Sequence, residues 1–293
     1  MAIKSVKVAL NGQTYDLTYN ATSKKYEATI TAPSTTSWGE ENHVYPLTFT
    51  ATDVAGNTKS DTSKTIRVKE TVKPTAAVTA PTNGSTVVTN KPAITVQFRD
   101  AGSGVLKSSI VLKVDNTAVA AADYTLTDVS GGVNLSYTPK TALTDGSHTI
   151  TASCSDNDGN ASTTASVTYK QDTTPPALTV NQPTTPTNKS ACTISGTTSD
   201  ATSSPVTVKI TLNGTDQGAI TVDASGNFSK ALTLRESSNS IVVRSTDAAG
   251  KYSEITRTVV LDTVAPVFGT ITVTPDPVNT GGTITISVEV TDA

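Results

Sequence analysis

Apolar and polar residues alternate with a period of two along most of the chain, in short runs that end at turn sequences. Three of these runs lead into an Asp that opens a Gly-containing turn, at residues 53–57, 156–160 and 247–251. This alternation predicts strands with one buried face. Because Asp bonds to its own backbone in turns and Gly adopts positive φ, each turn is predicted to connect two strands.

A proline-containing segment follows each turn after one further strand, at residues 70–74, 172–176 and 262–266. Proline cannot donate to a β ladder, so these segments are predicted to be short, stiff linkers. The turn aspartates are 103 and 91 residues apart, and the linker starts are 102 and 90 residues apart. Two separate markers therefore indicate one repeat of the size of an immunoglobulin-like sandwich.

These repeats, with their Asp/Glu-Thr-x-x-Pro linkers and Ala/Cys/Ser-x-Asp-x-x-Gly-Asn/Lys turns, resemble bacterial immunoglobulin-like domains. The resemblance implies an all-β rod of tandem immunoglobulin-like sandwiches, with complete domains at residues 71–172 and 173–263 (the second and third domains). It also implies a spacer, stalk or recognition module rather than an enzyme.

The function expected by analogy is a structural protein of a phage or prophage particle, of the tail or fibre kind, located in the virion. That expectation uses the initiating Met and an N-terminus without an export signal. Two alternatives stay open: a stalk segment of a secreted adhesin at the bacterial surface, and a module that binds a host surface or carbohydrate.

Composition narrows the range of partners. Aromatic residues make up 4% and charged residues 16% of the chain, a balance that suits strands better than helices. A net charge of -3 offers no basic patch, so no nucleic-acid partner is expected. No run of 18 apolar residues occurs, so no membrane span is expected.

Cys154 and Cys192 fall in different predicted domains and are expected to be free, buried thiols.

The first domain, residues 1–70, is predicted to be incomplete. Only 52 residues precede Asp53, whereas 82 residues separate the linker proline from the turn Asp in the second domain and 71 in the third. Residues 3–8 resemble residues 106–111 inside the second domain. The first domain is therefore predicted to lack the first two strands of the sandwich.

The C-terminal segment, residues 264–293, is predicted to carry those two strands. Residues 286–292 match residues 94–100 position by position, and each stretch ends in an Asp 26 residues after the linker proline. The apolar candidates for assembly on this segment are Ile271, Val273, Ile284, Ile286, Val288 and Val290. Burying six such side chains contributes roughly 9–18 kcal/mol, as a gross upper bound.

Two strands do not fold alone in water, so the segment is expected to donate its strands to the first domain of another copy or to a different virion protein. Three domains in a row would place the two ends about 100 Å apart, since each strand residue advances ~3.3 Å. Three other interpretations stay open: a shortened but self-sufficient first domain, a segment cut from a longer repeat array, and a free tail.

One turn has the character of a cation site. Asp156, Asp158 and Asn160 alternate along it, and Asp172 in the following linker is close enough in sequence to join them. Calcium requires six to eight oxygen ligands, and turn formation alone also explains these residues. Calcium at this turn is therefore one of two open interpretations, and no other cofactor is expected.

The remaining candidate residues do not indicate a catalytic site. Trp38 lies in a polar loop and is predicted either to contact a sugar or protein ligand or to cap the core of the first domain. His43 and His148 have no second ligand at metal spacing. Ser147, His148 and Asp145 are too close in sequence to converge on one reacting atom.

Overall fold

The computed structural model describes residues 2–292 and confirms the all-β fold class. Its regular elements are 23 strands and three short 3-10 helical turns. The described residues form two compact units, which divide between Gln171 and Asp172. No helix among these residues is long and apolar enough to cross a bilayer.

The first five strands form one antiparallel sheet in the order β3-β2-β1-β4-β5. These strands are β1 Ile3–Leu10, β2 Gln13–Asn20, β3 Lys25–Glu27, β4 Tyr45–Asp53 and β5 Thr58–Ile66. Asn11 and Gly12 both have positive φ and form the β1–β2 hairpin, as the Asn-Gly sequence requires. Among the described hydrophobic residues of this domain, only Val8, Leu10 and Tyr45 are fully buried, because one sheet has no opposing layer to pack against.

The second domain forms two sheets that enclose a core. Its strands are β6 Thr75–Ala80, β7 Thr86–Val87, β8 Ile94–Arg99, β9 Val105–Val114, β10 Thr117–Ala118, β11 Thr125–Val129, β12 Gly132–Tyr137, β13 Gly146–Asp156 and β14 Ala165–Gln171. One sheet has the order β10-β9-β13-β14-β7 and the other β11-β12-β8-β6. Ile94, Val96 and Phe98 alternate along β8 and are fully buried between the sheets, which the period-two pattern predicts.

The first domain corresponds strand by strand to part of this sandwich. Leu10 pairs with Leu47 at the end of β1 just as Val114 pairs with Ile150 at the end of β9. Strand β2 runs unbroken where the second domain has β10 and then β11, so β3 is the counterpart of β12. This pairing corrects the resemblance of residues 3–8 to 106–111, because bulges shift the two strands and Val8 aligns with Leu112.

The third domain repeats the two-sheet arrangement. Its strands are β15 Ala177–Val180, β16 Ala191–Ser199, β17 Thr207–Leu212, β18 Thr215–Asp216, β19 Asn227–Thr233, β20 Ser237–Thr246 and β21 Tyr252–Leu261. The sheets have the orders β15-β16-β19 and β18-β17-β20-β21. Ile194, Ile210 and Ile241 are fully buried in the core that the two sheets share.

The last two strands, β22 Val267–Thr274 and β23 Thr285–Thr291, pair only with each other and are called the C-terminal hairpin below. Its six assembly candidates are all exposed, from 44% for Val273 to 65% for Ile286. Ile271 lies opposite Val288 and Val273 opposite Ile286, so one face of the hairpin is an apolar strip. Ile284 lies just before β23.

His148 is buried in the second domain and bonded at both ring nitrogens. Nδ1 lies 2.7 Å from Asp115 Oδ2 and Nε2 lies 2.7 Å from the Thr144 carbonyl oxygen. Both partners accept, so the charged ring with two N–H donors fits this pocket. Burial opposes the charge, but the bonds to Asp115 and Thr144 outweigh it and raise the pKa of His148. Ser147 is exposed on the opposite face of the strand, so no catalytic triad forms.

The second domain is therefore expected to be more stable at pH 6 than at pH 8.5. A raised folded-state pKa gives a stabilisation that is complete below the unfolded value of about 6.5 and is lost as the pH rises through the folded value. Urea unfolding of the full chain at both pH values measures this difference. The His148→Gln variant should lose the dependence in this range; an unchanged dependence would contradict the assignment.

Candidate metal sites in the complete domains

Three acidic residues converge at one end of the second domain. Glu70 lies in the linker, Asp100 directly follows β8, and Asp156 ends β13. One carboxylate oxygen from each lies within 4.8 Å of the other two. Two oxygens bound to one calcium ion at ~2.4 Å are at most about 4.8 Å apart, so the separation fits a shared hard cation.

The backbone holds these carboxylates in place. Asp100 Oδ1 accepts from the Gly102 and Gly104 N–H groups at 3.0 and 2.7 Å. Glu70 accepts from the Ser103 N–H and lies directly over Gly102, where a β-carbon would collide with its carboxylate. Asp156 Oδ1 accepts from three N–H groups of its own turn. Backbone N–H donors therefore fix the positions of all three carboxylates.

One oxygen of this cluster has no hydrogen-bond partner. Asp100 is 7% exposed, and its Oδ2 is buried without a donor. Burial, together with the charges of Glu70 and Asp156, raises the pKa of Asp100. A buried acceptor beside two other carboxylates is costly unless a proton or a cation neutralises it, and an all-oxygen site favours Ca²⁺ or Mg²⁺ over softer metals.

The third domain contains the same arrangement. Asp172 in the linker, Asp200 after β16 and Asp247 after β20 also bring one oxygen each within 4.8 Å of the others. Asp172 is fully buried and Asp247 is 6% exposed, and Oδ2 of each has no partner. Two domains of different sequence thus place three acids at equivalent positions with unpaired buried oxygens.

The structure distributes the four predicted calcium residues over different roles. Asp156 and Asp172 belong to separate clusters, one in each domain. Asn160 donates its side-chain amide to Asp156 Oδ2 and to the Glu70 carbonyl oxygen, so it supports the first cluster from outside. The Asp158 carboxylate belongs to neither cluster.

Asp158 instead joins the first domain to the second. Its carboxylate accepts from Thr36 Oγ1 at 2.5 Å and from the Glu70 N–H at 3.1 Å, and it pairs with Arg67 at 3.5 Å. Burial of Asp158 opposes ionisation, but these bonds and the Arg67 charge keep its pKa below the ordinary value. Asp158 is therefore ionised at neutral pH, and the stabilisation from this contact is lost as the pH falls below the ordinary carboxyl value and through the lower folded-state pKa.

Trp38 and the two cysteines were also singled out in the sequence, and the structure shows the burial and the contacts of each. Trp38 is half-buried in the 3-10 turn Ser37–Gly39, and its ring stacks on His43 with centroids 3.9 Å apart. Ligand contact through Trp38 stays a prediction. Both thiols are free, as expected, but only Cys154 is fully buried, because Cys192 lies on a partly exposed position of β16.

Sequence reasoning missed four members of the clusters: Glu70, Asp100, Asp200 and Asp247. The signal was present, because the second and third domains each place one acid in the linker, one directly after β8 or β16, and one at the late turn. Glu70, Asp100 and Asp247 mark the repeat in the sequence without indicating a shared site, and Asp200 lies outside the motifs that define the repeat. Their convergence depends on strand pairing between residues about 30 to 90 positions apart.

Comparison with known families identifies the modules. A family model described as a bacterial Ig domain matches residues 74–152. The second domain is therefore similar to bacterial immunoglobulin-like domains. A second family model, domain B of glucodextranase, matches residues 176–263 of the third immunoglobulin-like domain. No curated protein matches the chain. Immunoglobulin-like repeats of this kind are typically non-catalytic, although the glucodextranase domain is an accessory part of an enzyme.

Solved structures of tandem β domains are also similar. A tetra-tandem repeat from the extending region of a large adhesion protein is 18% identical, with 98% of this chain and 79% of that chain covered and a TM-score of 0.34. A bacterial ice-binding adhesin structure is 20% identical, with 89% and 88% covered and a TM-score of 0.33. The fibronectin(III)-like modules of Clostridium thermocellum CbhA are 14% identical, with 64% and 93% covered and a TM-score of 0.35. At these values, nothing about function follows from the likeness.

Proposed function

We propose that this chain is a non-catalytic spacer, a stalk segment of a bacterial surface protein, in which calcium holds each linker onto the domain that follows it. The observation that supports this function is the repeated acidic cluster, present in both complete domains with buried, unpaired carboxylate oxygens. A spacer must keep its linkers from flexing. A cation bound to the linker acid and to two aspartates of the domain body provides that restraint.

Calcium suits these clusters better than magnesium. Calcium accepts flexible geometry with six to eight oxygens, whereas Mg²⁺ requires a near-ideal octahedron and keeps several waters. Carboxylates supply three oxygens here, so backbone carbonyls and water complete the shell. Extracellular calcium modules bind with dissociation constants of about 10⁻⁴–10⁻³ M, the range expected for clusters with this charge.

Calorimetric titration of the chelator-stripped full chain with CaCl₂ tests the metal part of this function. Two ions per chain should bind to these clusters, and MgCl₂ should bind more weakly. The double variant Asp100→Asn, Asp247→Asn should lose both sites. Asp128→Asn is the matched control, because Asp128 is exposed, pairs with Lys107 and lies outside both clusters. Absence of binding, or equal loss in the control, would contradict the proposal.

The proposed role in a bacterial surface protein is tested by locating the chain on cells. Antibodies against the chain should label intact cells of the source bacterium in immunogold microscopy, with label lost after surface proteolysis. Label confined to phage particles would instead support the tail or fibre role, which stays a prediction from the sequence. The carbohydrate-binding alternative is tested by a glycan array with Trp38→Ala as its control.

A further inference from the structure

We propose that the C-terminal hairpin of one copy completes the first domain of a second copy, with β23 pairing along the free edge at β3. The sheet of the first domain ends at β3. In the second domain the counterpart of β3 is β12, which pairs with β8, and β8 pairs in turn with β6. β23 matches β8 in sequence, and β22 pairs with β23 as β6 pairs with β8, so each copy carries counterparts of the strands that β3 lacks.

The acceptor edge has a defined register. Tyr15 and Leu17 match Tyr124 and Leu126, and the pairing of Thr18 with Glu27 matches that of Thr127 with Asn134. In the second domain β12 pairs Val133 with Phe98, Leu135 with Val96 and Tyr137 with Ile94. Transfer of this register to two copies of the chain gives three apolar pairs: Tyr26 with Val290, Ala28 with Val288, and Ile30 with Ile286.

The donor already has the required shape. Phe268 pairs with Val290 and Thr272 with Ser287, which matches Ala76 with Phe98 and Ala80 with Thr95 in the second domain. Both hairpins contain one bulge between these pairs. The side chains that would enter the core, such as Ile286 and Val288, are 65% and 49% exposed in the unpaired hairpin. Docking therefore buries apolar surface without rebuilding the donor.

The first domain and the C-terminal hairpin also carry acids at the positions that form the clusters in the complete domains. Asp53 Oδ1 accepts from the Ala55 and Asn57 N–H groups, as Asp156 does in its own turn. The donor carries Asp262 in its linker and Asp292 after β23. Docking in this register places Asp53 at the position of Asp247. It places Asp262 and Asp292 at the positions of Asp172 and Asp200. A third calcium per chain on assembly is then expected, and this part alone rests on the proposed function.

A second copy is the occupant that best fits these observations. Two complete domains, residues 71–263, separate the two halves in the sequence, and their linkers contain proline. A second copy presents the complementary half without requiring the chain to fold back on itself. The hairpin and the β3 edge are different surfaces of the chain, so the contact is heterologous and forms closed rings or open chains.

Engineered disulfides test the register. Thr29 and Ser287 are the counterparts of Ser136 and Thr95, which pair across β12 and β8. In a background with Cys154→Ala and Cys192→Ala, the Thr29→Cys, Ser287→Cys chain should give a ladder of disulfide-linked oligomers on mild oxidation, with EGTA present to exclude a calcium effect. Thr29→Cys with Val288→Cys is the matched control, because a one-residue shift points the thiols to opposite faces. Equal cross-linking in both, none in either, or only intramolecular disulfides would overturn the proposal.

Charge substitutions give a second measurement on the full chain. Val288→Asp should weaken association in sedimentation velocity by about 100-fold or more, because it buries an unpaired carboxylate. Ser287→Asp, the adjacent outward position, should associate like wild type. Glu27 and Glu289 would face each other in this register, so Glu289→Lys should strengthen association by about 2- to 5-fold. A wild-type chain that stays monomeric at high concentration would overturn the proposal.

Discussion

In calcium-free buffer, the Asp100→Asn variant is expected to unfold at a higher temperature than the wild-type chain, and in millimolar calcium at a lower temperature. Without the ion, Asp100 is a buried carboxylate beside Glu70 and Asp156, with one oxygen unpaired. Asn keeps the Oδ1 acceptor for the Gly102 and Gly104 N–H groups, removes the charge and supplies a donor. With the ion, the same change removes a ligand.

The size of this reversal follows from linkage. Calcium at 100 times its dissociation constant stabilises a one-site domain by about 2.7 kcal/mol, which shifts the melting temperature of a domain of this size by on the order of 10 °C. Scanning calorimetry in EGTA and in CaCl₂ measures both halves of the prediction, with Asp128→Asn as control. A variant that is less stable in both buffers would show that Asp100 is only a turn residue.

The stability that Asp100→Asn gains over the wild-type chain in EGTA is expected to increase with pH. The raised folded-state pKa of Asp100 means that the folded chain binds the proton more tightly than the unfolded chain. The wild-type domain therefore loses stability as the pH rises from the unfolded value of about 3.9 through the folded value. The advantage of Asp100→Asn in EGTA should accordingly be small near pH 4 and reach its full size at neutral pH.

Truncation of Phe98 to Ala is expected to destabilise the second domain by about 3–5 kcal/mol, whereas truncation of Val290 to Ala should leave the dilute, monomeric chain nearly unchanged. The two residues occupy equivalent positions: Phe98 pairs with Ala76 in β6, and Val290 pairs with Phe268 in β22. Phe98 is fully buried, but Val290 is 52% exposed because the hairpin has no second sheet above it.

Chemical denaturation at low concentration distinguishes the two variants. The transition of the second domain should shift strongly in Phe98→Ala and remain in place in Val290→Ala. At high concentration, Val290→Ala should additionally weaken association. A large loss of stability in the dilute Val290→Ala chain would mean that the hairpin is packed against its own chain, which would contradict the exposure of its apolar face.

The pattern of residues predicted the all-β class and the tandem character of the chain because both depend on local order. Alternation along Ile94, Val96 and Phe98 indicates which face of a strand is buried wherever the strand lies. The Asn-Gly pair at residues 11–12 indicates a hairpin for the same reason. The correspondence between β8 and β23 was also visible, since it compares one stretch of sequence with another.

The acidic clusters were not predictable in this way. One of the two interpretations of the sequence groups Asp156 with Asp158, two residues away, in a calcium site, whereas the structure brings Asp156 close to Asp100 and Glu70 and turns Asp158 toward Thr36 and Arg67 of the first domain. Asp156 ends β13 and Asp158 lies in the turn that follows, so the period-two rule of a strand does not determine whether their side chains converge. Residues far apart meet only where strands from different parts of the chain end at one edge.

Period, strand faces, turns and linkers can thus be read from this chain directly, because each is encoded within a few adjacent residues. Which carboxylates share one site, and which apolar strips are covered, depends on the pairing of strands and the stacking of two sheets. Those contacts join residues tens of positions apart. Their free energy belongs to the assembled sandwich, so no local segment of the chain contains it.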